Sequence, residues 1–202
     1  CLYLHVDYPS MEREKEIVLA NAYFLPGRRF RQVLLAAAAR GVQVTILLQG
    51  RIEYALQHYA TQSLYDMLLG AGVRIFEYHH SYLHAKVGVI DCCWATVGSS
   101  NIDPFSLLLA REANVFVRDA NFADALRAEL VAMIGDGARP VDPERWLGRS
   151  LLSKAMNWIA YGIVRVFGRW STLVTLLFTI PLFVSENIRL YGWVLFFIKN
   201  GV

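Results

Sequence analysis

The chain has 202 residues, 55% hydrophobic and 18% charged, a balance that excludes a disordered or fibrous protein and allows one ordinary core or two small ones. Three cysteines, two of them adjacent (Cys92, Cys93), cannot build a disulfide framework and contain no C-x-x-C metal spacing, so a reducing compartment is expected. The net charge of +3 is unevenly placed: residues 1–145 carry 14 Lys/Arg against 16 Asp/Glu, while residues 146–202 carry 6 against Glu186 alone. The basic excess coincides with the most apolar stretch, which points to a membrane surface and away from nucleic acid.

No apolar leader region opens the chain, and its first residue is Cys, which points to a sequence whose beginning is missing. Ile17 to Ala20 reads as a buried strand ending near Asn21, and Tyr23 to Gly27 as a loop. A helix over 31–40, rich in Ala and Leu, ends at Gly41 and feeds the β-rich run 42–48. The unit repeats: a helical pattern from Tyr54 to Leu69 stops at Gly70-Ala71-Gly72 and enters a strand over 73–77. Two such units predict a mixed, largely parallel sheet flanked by helices in an α/β layered sandwich. Short strands are expected over 86–90 and 94–97 around an Asp91-Cys92-Cys93 turn, then a strand over 113–117 and a helix over 121–134. One domain is expected over residues 1–145, followed by an apolar, basic tail over 146–202.

In that tail, residues 151–167 are cationic and amphipathic, with Lys154 and Arg165 against Trp158, Ile159, Ile163 and Phe167. Thr172 to Val184 and Leu190 to Ile198 are uncharged, but neither reaches the roughly 20 residues that span a bilayer. Interfacial insertion or a re-entrant hairpin is therefore expected.

The residues that carry chemistry are His84, Lys86, Asp91, Gly98, Ser99 and Asn101, spaced H-x-K-x4-D-x6-G-S-x-N. An imidazole with an ordinary pKa near 6.5 is a nucleophile suited to phosphodiester transfer near neutral pH. Residues i and i+2 of a strand share a face, so His84 and Lys86 would enter one pocket, the ammonium meeting a phosphoryl oxygen whose charge grows in the transition state. Asn101 adds an amide donor, and Ser99 and Ser100 are either phosphate donors or small turn residues. Asp91, at odd parity from Lys86, is expected to support and not to react. His79, His80, His84, Cys92 and Cys93 lack any standard zinc spacing, and no metal or other cofactor is expected.

This spacing resembles the active-site motif of the phospholipase D superfamily. The resemblance covers roughly residues 14–145: Ala22-Tyr23-Phe24-Leu25-Pro26-Gly27, Ala37 to Val44, Leu69 to Tyr78, Asn101-Ile102-Asp103-Pro104-Phe105-Ser106 and Glu112-Ala113-Asn114-Val115 are similar to the second lobe of bacterial cardiolipin synthases, nearest the B type. It implies that phosphatidylglycerol donates a phosphatidyl group through a phosphohistidine to the hydroxyl of a second phospholipid, releasing glycerol, and that Glu112 orients His84. It also implies peripheral attachment to the cytoplasmic side of a bacterial inner membrane. Such enzymes carry two motifs and this chain has one, so a second lobe upstream or a homodimer partner is expected. A single-motif homodimeric phosphodiesterase or nuclease, or an inactive lobe, are the alternatives.

Overall fold

The structure is a computed structural model that describes residues 15–103, Ser106 and residues 111–166. Seven strands form one sheet: β1 (Glu16–Asn21), β2 (Gln43–Gln49), β3 (Arg74–Tyr78), β4 (Lys86–Ile90), β5 (Trp94–Gly98), β6 (Asn114–Arg118) and β7 (Ala138–Pro140). Their order across the sheet is β6-β5-β4-β1-β2-β3-β7. The helices are α1 (Arg28–Ala39), α2 (Ala55–Gln62), α3 (Tyr65–Gly70), α4 (Ala120–Gly135), α5 (Pro143–Leu147) and a last helix over 151–166.

Side chains alternate across a strand, so the apolar run of β1 covers both faces of the sheet. Ile17 and Leu19 join Val44, Ile46, Leu48 and Ile75 under Leu34 and Ala37 of α1 and Leu68 and Leu69 of α3. Val18 and Ala20 join Leu47, Val89 and Ala95 under Ala123 and Leu130 of α4. The expected mixed sheet between helical layers is what forms, but it is largely antiparallel where a largely parallel one was expected. Parallel pairing is confined to β1–β2 and β2–β3, where α1 and the α2–α3 pair supply the crossovers that parallel neighbours require. The pairs β1–β4, β4–β5, β5–β6 and β3–β7 are antiparallel.

Element boundaries follow local chemistry. Gly41 takes φ +90°, which lets α1 stop and its last carbonyls be met by Gly41 N and Val42 N before β2 starts. The helical pattern read from Tyr54 to Leu69 is in fact two helices. Ser63 ends the first, its hydroxyl donating to the Ala60 carbonyl at 2.7 Å. Strand β7 and helix α5 have no counterpart in the sequence reading. The first is three residues long and ends in Pro140, which the edge of a sheet tolerates. The second starts at Pro143 behind the Asp142 cap, which accepts from Glu144 N at 2.9 Å.

The compact unit that contains the sheet reaches Val164. Ala160 and Val164 of the last helix bury against Leu25 and Ala60, and Trp146 packs on Tyr65 with ring centroids 4.9 Å apart. Among the described residues no helix is long and apolar enough to cross a membrane. The runs Thr172–Val184 and Leu190–Ile198 lie outside the described residues.

Candidate active site

One edge of the sheet gathers the C-terminal ends of β1, β2, β3 and β5 with the starts of β4, β6 and β7. The carboxyl edge of parallel strands is where open α/β sheets leave room for ligands. His84, Lys86, Ser99, Ser100, Asn101 and Glu112 all come to this edge.

Lys86 is the first residue of β4, pairs with Asn21 and is only 8% exposed. Its Nζ donates to the carbonyl of His84 at 3.2 Å, so the two motif residues are folded against each other. His84 stands exposed two residues before the strand. The chain on either side of it is held: Leu83 N donates to Gln49 Oε1 at 2.6 Å, and Ala22 N donates to the carbonyl of Ala85 at 3.1 Å. Among the described residues its imidazole makes no hydrogen bond, which leaves both ring nitrogens open to a ligand or a partner.

Asn101 arrives from a separate turn that is tied to the same place. Ile102 N donates to Asn21 Oδ1 at 3.1 Å, and the Ile102 carbonyl accepts from Leu25 N at 2.6 Å. Among the described residues the buried Oδ1 of Asn101 has no partner of its own. The turn is made possible by Gly98, where a Cβ would come within 1.8 Å of Asn114 Oδ1 and 2.6 Å of the Ala113 carbonyl.

Ser99 and Ser100 behave as turn residues here. Ser99 Oγ accepts from Ala113 N at 3.1 Å while Ser99 N donates to the Ala113 carbonyl at 3.0 Å, stapling the end of β5 to the start of β6. Ser100 Oγ donates to the Asn101 carbonyl at 3.3 Å.

Two carboxylates set the electrostatics. Burial lowers the pKa of Lys86, and the charges of Glu112 and Asp103 oppose that shift by favouring the ammonium. Glu112, expected to orient His84, thus acts on the lysine, and among the described residues its carboxylate forms no hydrogen bond to the imidazole. Asp103, absent from the sequence-derived site, is 2% exposed and accepts from Ser106 N at 2.9 Å and Ser106 Oγ at 3.1 Å. Asn21 and Gln49 also escaped the sequence reading, because each sits in an otherwise apolar strand and only the tertiary register shows what it holds. A polar residue ending a buried strand was the available signal.

Asp91 has to be corrected. The structure places it at the far end of β4, away from the other motif residues, where its Oδ1 accepts from Lys15 N at 2.7 Å and Glu16 N at 2.8 Å. It takes φ +51° in the tight β4–β5 turn, a conformation Asp adopts more readily than most residues. The carboxylate starts β1 and closes a hairpin, and it cannot join a catalytic set. Cys92 and Cys93 lie in the same distant turn, and among the described residues no three His, Cys, Asp or Glu side chains come together as metal ligands.

Comparison with known proteins identifies the family. Residues 11–134 match the family described as cardiolipin synthase, PLD-like domain. The chain belongs to this family. Cardiolipin synthase B of Escherichia coli O6:H1 is 39% identical over 156 residues, covering 77% of this chain and 38% of that protein. A probable cardiolipin synthase of Bacillus subtilis is 36% identical over 115 residues, 57% of this chain and 23% of that one. The chain therefore spans less than half the length of these curated relatives. Among solved structures, the phospholipase D family member Nuc from Salmonella typhimurium superposes with a TM-score of 0.54 at 20% identity, covering 63% of this chain and 82% of that one. Phosphatidylserine synthase from Haemophilus influenzae gives 0.58 at 13% identity, covering 78% and 40%. Both likenesses concern the fold, and with the family match they bear out the superfamily read from the motif.

Two outcomes follow for this PLD-like domain. Asp91→Ala leaves two backbone donors without their acceptor and should lower stability by about 1–3 kcal/mol in denaturant titration, with the surroundings of His84 unchanged by NMR. Glu112→Gln removes a charge that favours the Lys86 ammonium, so the titration of that lysine, followed on a ¹³C-methylated chain, should move to lower pH.

Proposed function

We propose that this chain is the catalytic lobe of a cardiolipin synthase-type phosphatidyltransferase. The observation that carries the reading is the Lys86 ammonium bonded to the His84 carbonyl beside the Asn101 turn, at an open sheet edge. An imidazole nitrogen of His84 attacks the phosphorus of phosphatidylglycerol, a P–N bond forms, and the P–O bond to glycerol breaks. The hydroxyl of a second phospholipid then attacks phosphorus, the P–N bond breaks, and a new diester results. One diester replaces another at each end, so no energy source is needed.

Lys86 and the Asn101 carboxamide stabilise the negative charge that gathers on the phosphoryl oxygens. Glu112 and Asp103 keep the buried lysine protonated for that task. The glycerol oxygen needs a proton as it leaves and the incoming hydroxyl must lose one. A second histidine, from an upstream lobe or from another copy of this chain, fits that role of general acid and base.

The substrate class sets the location. On the last helix, Leu152 (75% exposed), Met156 (59%), Ile159 (56%) and Ile163 (39%) recur at steps of three and four, so one apolar stripe faces outward while Ala160 and Val164 bury the other side. Arg149 lies one turn before it, whereas Lys154 is ion-paired to Asp66 at 3.3 Å. A stripe of this kind suits an anionic bilayer surface, with the protein held peripherally.

The transfer reading is tested with phosphatidylglycerol vesicles carrying labelled glycerol headgroups. With its second lobe or a second copy present, the chain should release glycerol and form the doubly phosphatidylated product, and His84→Ala should abolish both. Hydrolysis without transfer, or full turnover by the His84→Ala chain, would refute it. For the surface, the double change Leu152→Ser and Ile159→Ser should weaken co-sedimentation with such vesicles by at least about tenfold, given roughly 1.5–3 kcal/mol per buried aliphatic side chain.

A further inference from the structure

One part of the sheet domain is strongly basic against a slightly acidic background. Residues 1–145 carry 14 Lys/Arg against 16 Asp/Glu, yet the first turn of α1 holds Arg28, Arg29 and Arg31 with no acidic residue among them. Arg28 and Arg29 are exposed, and among the described residues neither side chain makes an ion pair, a hydrogen bond or a ring contact. Their placement works against the helix itself, because aligned peptide dipoles make a helix N-terminus positive and cations there are unfavourable. Gly27, just ahead of them, offers no side-chain cap. Two cations that the fold neither pairs nor gains stability from call for an anion outside it.

The surroundings narrow the kind of anion. Helix α1 follows β1 through residues 22–27, so its first turn lies at the same sheet edge as the motif. There Leu25 N donates to the Ile102 carbonyl at 2.6 Å and Phe24 bridges to Ile102, next to Asn101. The same turn also joins the last helix: the Arg31 guanidinium lies 5.8 Å from the centre of the Tyr161 ring, and Tyr161 packs edge-on against Trp158 at 5.4 Å. Phe30 is 39% exposed and Trp158 50%. The arginines are thus continuous with the helix whose Leu152, Met156, Ile159 and Ile163 form the exposed apolar stripe. A soluble anion or a nucleic acid would answer the arginines and leave the aliphatic side chains in water. A bilayer with anionic headgroups answers both, since guanidinium forks donate to lipid phosphates, aromatic rings settle at headgroup level and aliphatic side chains enter the acyl boundary.

We propose that Arg28 and Arg29 are the electrostatic half of a docking surface for an anionic phospholipid bilayer, donating to lipid phosphates while the last helix inserts its apolar stripe. The sheet edge that carries His84 is then held at headgroup depth. The assignment deepens the peripheral attachment proposed for the transferase and rests on that attachment.

The test is co-sedimentation of the full chain with vesicles of phosphatidylcholine alone or with about a third phosphatidylserine, an anionic lipid that is not the donor in the proposed transfer. The wild-type chain should bind the mixed vesicles more tightly, and Arg28→Gln and Arg29→Gln should each reduce that advantage about fivefold, the share of one arginine near an anionic surface. Binding to phosphatidylcholine alone should not change, because the stripe is untouched. The melting temperature of the double variant should hold or rise, since two cations leave the positive end of a helix. A fall in melting temperature together with equal loss on both vesicles would mean that the arginines serve the fold, and overturns the proposal. Equal wild-type binding to both compositions, or a double variant that keeps the full advantage, overturns the arginine surface and leaves the stripe standing. Vesicle binding left intact while binding to a short oligonucleotide falls would hand the arginines to nucleic acid instead. Binding that depends on Arg28 and Arg29 in a chain that never transfers lipid would keep the docking surface and sink the transferase reading.

Discussion

The site depends on one buried carboxamide. Asn21 closes β1, is 2% exposed, and stands opposite Lys86 in the β1–β4 register. Its Oδ1 accepts from Ile102 N, 81 residues further along the chain. The motif has two halves, one at the start of β4 and one after β5, and Asn21 is the group that touches both. Removing its oxygen would leave a buried backbone N–H unpaired and release the turn that carries Asn101. The parallel pairing of β1 with β2 places Gln49 beside it at the same edge, where it fixes the residue before His84. Two amides ending two apolar strands thus set the geometry of a pocket whose reacting groups come from elsewhere in the sequence.

The lysine illustrates how burial and charge are balanced at such an edge. Desolvation alone would push Lys86 toward neutrality, and a neutral amine cannot stabilise a phosphoryl oxyanion. Glu112 and Asp103 oppose the shift from two different segments, one entering β6 and one following the Asn101 turn. Carboxylates close to a substrate phosphate ordinarily repel it. Here they face a cation that is itself buried, which offsets part of their charge.

Much of the fold was legible because the signals were periodic. Strands β1 to β6, helix α1 and helix α4 lie within one to three residues of their sequence-derived positions, since apolar runs bounded by Gly or Asn leave little freedom. The H-x-K pair reads as parity on one strand, but β4 starts at Lys86 and His84 precedes it, so their closeness rests instead on the Lys86 bond to the His84 carbonyl. The role of Asp91 was legible in part, its odd parity setting it apart from the reacting groups. Motif spacing treats it as one more member of a set, whereas the length of β4 carries it to the opposite end of the sheet. Glu112 was placed at the right edge but against the lysine, a distinction that depends on how the β5–β6 connection folds back through Ser99 and Ala113. Asp103, Gln49 and Asn21 were unreadable from residue type alone, because what each does is decided by a partner distant in sequence.

The last helix and the catalytic edge constrain one another through shared neighbours. Ala160 and Val164 bury against Leu25 and Ala60. Leu25 is hydrogen-bonded to Ile102, next to Asn101, and Ala60 lies in α2 between His58 and Thr61, which line a small cleft beside Gln49. The side of that helix opposite these contacts is the exposed apolar stripe. A bilayer that met the stripe would therefore be registered, through two layers of packed side chains, against both the Asn101 turn and the cleft. For the lipid transfer proposed above, headgroups have to arrive at a fixed depth, and packing between the exposed stripe and the Asn101 turn would supply that constraint.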